Sequence, residues 1–136
     1  MSTILSIKEQ IIKIVNQIPF GKVMYFGQVG SQIVNKNYNF HEQPYKGVSG
    51  QVVGFILSGM PSSQWYLLPW HRVVAKNGFI SSLKLGAKGL IQKQLLLDEG
   101  VIITDNNVDM QKHLFVQSAG EIHAAEILLK EHLKQP

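Results

Sequence analysis

Apolar residues recur along this chain at two spacings, and the helical spacing dominates. In "SIKEQIIKIVNQIP" (6–19), Ile7, Ile11, Ile14, Val15 and Ile18 fall three or four apart behind a Ser6–Glu9 capping box. That pattern predicts a helix stopped by Pro19 and Gly21. "YFGQVGSQIV" (25–34) predicts a short helix that turns Val29 and Ile33 inward. The polar, Asn-rich stretch 35–47 has no period and reads as a long loop. "VSGQVVGFILSG" (48–59) predicts a third helix, capped by Ser49 and stopped by Gly59. Another helix is expected across about 86–98, carrying Leu90, Ile91, Leu95 and Leu97 and closed by Gly100. In the tail, 118–134, a second capping box (Ser118, Glu121) precedes a stripe of Ile122, Ala125, Leu129 and Leu133, expected to pack back onto the domain.

Between these helices the pattern is extended. "RVVAKNGFI" sets Asn77-Gly78 between β-favouring residues and predicts a short hairpin. "VIIT", "VDM" and "HLFV" are expected as small strands around a turn. The chain therefore reads as mainly α with short strands, a single domain over 1–136. At 136 residues it is long enough to bury its own core.

Composition narrows the function classes. The longest apolar runs, such as "VVGFIL" (52–57), are too short to span a bilayer, and Lys8 and Glu9 break the first apolar residues before any leader can form. A soluble, cytoplasmic monomer with no membrane role is the expectation. Net charge is +4, which tilts mildly toward a polyanionic partner. Arg72 is the only arginine among the 13 basic residues, so an arginine-rich recognition face is excluded. Cysteine is absent, which removes disulfides, thiolate-bound metals and every thiol nucleophile. No cofactor or metal is expected.

The stretch "LLPWHRVVAKNG" (67–78) concentrates the remaining chemistry. Trp70 offers an indole N–H and no lone pair to activate, and nothing adjacent needs His71 as a base. Pro69 fixes the backbone before Trp70, so the indole sits on a rigid corner. The residues alone leave two readings open, a packed core tryptophan or a stacking wall for a flat ligand such as a base.

"PWHRVV" resembles the "PCHRVV" signature of the O6-alkylguanine-DNA alkyltransferases, with tryptophan at the cysteine position, as in the non-catalytic alkyltransferase-like branch. "IPFGKVMYFGQV", "VVGFILSGMP", "KNGFIS" and "IQKQLLLDEGV" resemble further family segments in the same order. The resemblance covers about residues 5–104 and leaves 105–136 as a C-terminal extension. It implies a winged helix-turn-helix like the alkyltransferase C-terminal domain, which binds double-stranded DNA through the minor groove and flips O6-alkylguanine into a pocket. Pro69, Trp70, His71, Arg72, Ser81 and Lys84 would form that lesion pocket. Tyr25, which would press on the phosphate, and Ser49, Gly50, Gln51 and Gly54 would meet the DNA. Glu99 would brace the pocket in a hydrogen-bond pair with His71, and Arg72 would order its wall. Without a thiol no alkyl transfer runs, so the implied role is damage recognition that signals to nucleotide excision repair, nucleoid-associated when bound to DNA.

Three departures separate the chain from the family pattern. Gln51 stands where the family has an arginine that fills the gap left by the flipped base; it is shorter and uncharged, so weaker flipping is expected. The loop 35–47 is longer than the family's connection, and Met60 replaces the asparagine of a "GNP" hinge. Lys22, Lys36, Lys46, Lys76 and Lys84 are candidate phosphate contacts. The alternative reading is a repurposed fold that acts as a protein-interaction module with weak or no lesion binding.

Overall fold

A computed structural model describes residues 6–34 and 47–116. The expected loop, apart from Gly47, and the expected tail helix lie outside the described residues, as do Lys36 and Lys46.

Helix α1 (Ile7–Val15) starts where Ser6 accepts a hydrogen bond from the Glu9 amide, and it buries Ile11 and Val15. Ile18 follows beyond the helix end and is also buried. A short strand β1 (Met24–Tyr25) leads into α2 (Phe26–Ser31), whose Val29 and the following Ile33 are buried as expected. Helix α3 (Gly50–Ser58) has Ser49 as its N-cap, accepting from the Val52 amide, and Gly59 as its C-cap. Helices α2 and α3 pack so closely that a Cβ on Gly50 would lie 2.9 Å from the Gly27 nitrogen. Only glycine fits that crossing.

Strand β2 (Val73–Val74) pairs parallel with β1 in the register Met24↔Val73 and Tyr25↔Val74. This is a correction to the expected 77–78 hairpin. The turn forms, with the Ala75 amide bonded to the Phe79 carbonyl at 3.0 Å. Its two arms then part: Val73–Val74 joins β1, while Phe79 bridges Asn107. Long-range pairing has overridden the local turn signal. The second expected turn does close a hairpin. Strands β3 (Ile103–Thr104) and β4 (Asn107–Val108) are antiparallel, joined through Asp105 and Asn106 at φ 51° and 63°. Two consecutive left-handed residues match the twist of the flanking strands. A short α5 (Met110–His113) follows, and Leu114 adds a bridge to Val23.

Because strand side chains alternate between faces, the small β1–β2 ribbon divides the interior in two. Met24 and Val73 enter one apolar cluster with Ile11, Val29, Val53 and Trp70. Val23 and Val74 enter a second with Ile80, Leu96, Val101 and Val108. Each fully buried aliphatic side chain contributes about 1.5–3 kcal/mol.

Helix α4 (Ala87–Asp98) forms over the expected span, but with another face inward. Gly89, Gln92 and Leu96 are buried, whereas Leu90, Ile91, Leu95 and Leu97 are exposed, Leu90 at 65%. Backbone proximity explains the choice. A Cβ on Gly89 would fall 2.2 Å from the Leu83 Cα, so the glycine side of α4 is the one that can meet the 3-10 turn Ser81–Leu85. Among the described residues no helix is long and apolar enough to cross a membrane.

Candidate nucleic-acid interface and base pocket

The corner read from "PWHRVV" is a single 3-10 turn, Trp70–Arg72, running directly into β2. A turn of this pitch sends successive side chains about 120° apart. Trp70 enters the first apolar cluster, while His71 and Arg72 reach the end of α4. There Glu99 receives three groups at once. The His71 Nε2 lies 2.5 Å from Oε2, the Arg72 Nη2 donates to Oε2 at 2.9 Å, and the Gly21 amide donates to Oε1 at 2.8 Å. Arg72 also donates from Nη1 to the Ile18 carbonyl at 2.8 Å, tying the corner to the end of the first helical segment.

Burial holds His71 below the usual histidine range, against the opposing pull of Glu99. Neutral at pH 7, it donates its Nε2 proton to the carboxylate. Burial on its own would raise Glu99; the hydrogen bonds from Arg72, Gly21 and His71 outweigh it and hold the carboxyl below its usual range. This cluster is a brace. It contains no nucleophile, and among the described residues no group of three or more His, Cys, Asp or Glu gathers to hold a metal.

Trp70 faces a cavity of about 650 Å³ between α2, α3 and the 3-10 turn before α4. Of the residues expected at the pocket, Trp70, Ser81 and Lys84 line it; Pro69, His71 and Arg72 stand outside the lining. The expected DNA-facing residues Gly50, Gln51 and Gly54 line its α3 side. Ser49 caps that helix, and Tyr25 caps α2, its amide bonded to the Gln28 Oε1 at 3.1 Å. Among the phosphate candidates, Lys76 is exposed and lines the cavity, and Lys22 donates to the Lys112 carbonyl at 3.0 Å.

Four residues that the sequence reading passed over complete the site. Phe55, one turn beyond Gln51 on α3, lines the cavity and is 79% exposed. Gln92 is 4% exposed and donates to the carbonyls of His71 and Val73 at 3.0 and 2.9 Å, while Ser82 donates to its Oε1. It thereby pins the Trp70 corner to α4. Its signal was its phase with Gly89 and Leu96 on one helix face. Trp65 packs on Trp70 with ring centroids 4.9 Å apart, its Nε1 donating to the Met60 carbonyl. Met60, the residue at the altered hinge, is itself buried in the first cluster. Lys88 places its Nζ over both indoles, at 5.2 and 5.0 Å, and burial keeps it below the ordinary lysine range.

A flat, apolar-walled cavity with few polar groups and a helix presenting glycine and glutamine at its mouth suits an aromatic ligand attached to something larger. Comparison with known proteins agrees. Residues 6–101 match the family model described as 6-O-methylguanine DNA methyltransferase, DNA binding domain. The DNA base-flipping protein of Escherichia coli K12 is 30% identical over 109 residues, spanning 79% of this chain and 73% of that protein. The protein of the same name from Shigella flexneri aligns to the same extent. Among solved structures, S. pombe Atl1 in complex with damaged DNA containing O6-carboxymethylguanine superposes with a TM-score of 0.60 at 22% identity, covering 82% of this chain and 95% of that one. S. pombe ATL in complex with DNA gives 0.59 at the same identity, with 81% and 94% covered. These two structures share the fold, and the sequence matches supply the kinship. The chain belongs to the 6-O-methylguanine DNA methyltransferase DNA-binding-domain family, as an alkyltransferase-like member that carries no cysteine.

Proposed function

We propose that this protein binds duplex DNA carrying O6-alkylguanine, turns the damaged base into the Trp70 cavity, and leaves the alkyl group in place. The observation that carries this reading is the cavity itself: it opens beside α3, is walled by an indole, and belongs to a chain without a cysteine. By register with the family signature, Trp70 occupies the place of the nucleophile. The names of the relatives, a base-flipping protein and a protein bound to damaged DNA, support the same reading.

The geometry performs the work in steps. α3 lies along the DNA, where the small Gly50 and Gly54 permit close approach. Tyr25 presses on the phosphate beside the lesion, and Gln51 takes the space the base vacates. Unstacking costs a few kcal/mol, and stacking on an aromatic wall returns about 1–3 kcal/mol. The Glu99 brace keeps the wall rigid, so little ordering remains for the bound state. A lesion held but not repaired is handed on, and nucleotide excision repair on nucleoid DNA is the consumer this reading assigns.

Affinity for a labelled duplex with one O6-methylguanine, compared with the same duplex carrying guanine at moderate salt, tests the proposal. Tighter binding of the damaged duplex is expected. Equal affinity removes lesion recognition, and binding of neither duplex favours a protein-interaction module instead.

A further inference from the structure

Lys88 is the cavity residue with no counterpart in the sequence reading, and its surroundings are unusual for a lysine. It occupies the first turn of α4, half-buried, with its Nζ between the faces of Trp65 and Trp70. Indole faces favour the charged form of an amine and hold it in place. The only other polar contact is a long one, 3.4 Å to the Leu57 carbonyl. An ammonium has three donors, so at least two remain open to a ligand. Among the described residues the ion pairs are those of Glu99 with His71 and Arg72; Lys88 has no carboxylate partner. The cavity lining contains Lys76, Lys84 and Lys88 and neither aspartate nor glutamate.

We propose that Lys88 makes this pocket selective for O6 substituents that end in a carboxylate. The inference rests on the reading of the cavity as the seat of a flipped O6-alkylguanine. In that pose the substituent points at residue 70, and the Lys88 ammonium stands 5.0 Å from the Trp70 ring centroid. A neutral alkyl group gains only contact area there. A carboxylate replaces the weak Leu57 contact with charge-assisted hydrogen bonds in a place that excludes much of the water, where such bonds are strongest. A backbone phosphate is a poorer occupant. The bulk of the duplex keeps its phosphates at the mouth, where the exposed Lys76 and Lys84 meet them, while Lys88 is turned inward between the rings.

The test uses three duplexes at one ionic strength, differing at a single base: guanine, O6-carbamoylmethylguanine and O6-carboxymethylguanine. The two adducts have the same shape and differ in charge. The wild-type protein is expected to bind the carboxymethyl duplex about tenfold tighter than the carbamoylmethyl one, the scale of one charge-assisted hydrogen bond. In Lys88→Met and Lys88→Gln that ratio is expected to fall to about one, and in Lys88→Arg to stay well above it. The ratio isolates charge from any general loss of affinity. Wild-type preference for both adducts over guanine, with no discrimination between them, overturns the role of Lys88 and leaves lesion binding standing. Equal affinity for all three overturns both readings. A ratio that survives in Lys88→Met overturns the assignment to Lys88.

Discussion

The Glu99 carboxylate holds the Gly21 amide, the Arg72 guanidinium and the His71 ring together, with its side chain 7% exposed. Removing one partner of such a cluster leaves the others buried without compensation. Glu99→Ala strands Arg72, and a loss of about 3–5 kcal/mol is expected in urea or thermal unfolding. A loss below about 1 kcal/mol would mean the cluster is more hydrated than its geometry indicates. The same residues set a pH dependence. His71 is held below its usual range by burial, so as pH falls past about 6.5 the unfolded chain takes up a proton that the folded one does not, and stability is lost. Glu99 is held below its usual range, so its contribution is present above about pH 4.3 and is lost as pH falls through its lower folded value. Both signs point the same way. Unfolding midpoints should decline from pH 7.5 to pH 4, and His71→Gln should flatten the part between 7 and 6. A midpoint that rises on acidification contradicts the assignment.

At the scale of elements, the α2–α3 crossing sets the angle at which α3 meets a duplex. A Cβ at residue 50 would meet the Gly27 nitrogen at 2.9 Å, its Cα at 3.2 Å and the Phe26 Cβ at 3.2 Å, all on or next to backbone. Gly50→Ala should therefore destabilise by about 1–3 kcal/mol in chemical unfolding, against a few tenths of a kcal/mol gained for an ordinary exposed glycine. A stabilised variant would show that the crossing is looser. The helices were legible because their signals are local: Ser6 and Ser49 cap where a serine before an apolar run should, and Ile11, Val15, Val29 and Val53 are buried at helical spacing. What escaped was decided by partners distant in sequence. Val73–Val74 pairs with Met24–Tyr25 and not across its own Asn-Gly turn. The four exposed apolar residues of α4 yield the interior to Gly89, Gln92 and Leu96, because α4 must lie flat on the 3-10 turn. The site followed the same rule. Residue 70 and the α3 residues lining the cavity were readable from contiguous motifs. Gln92 and Lys88 enter only through the folded contact of α4 with the Trp70 corner.

For the whole molecule, the two apolar clusters meet at the β1–β2 ribbon, and the cavity opens beside their junction. The moving parts of recognition are thus on the DNA side, while the protein presents a wall fixed by Glu99, Gln92 and the Trp65–Trp70 pair. A net charge of +4 draws a duplex without reading it, and the cavity does the reading. The sequence contains two tryptophans, Trp65 and Trp70, and both belong to this wall, so intrinsic emission reports on the cavity alone. The most direct measurement is tryptophan emission at saturating concentrations of duplex with and without one O6-alkylguanine. The damaged duplex should quench the emission by stacking its base on Trp70, and the undamaged duplex should bind with little change. Identical emission from both saturated complexes would contradict entry of the damaged base into the pocket.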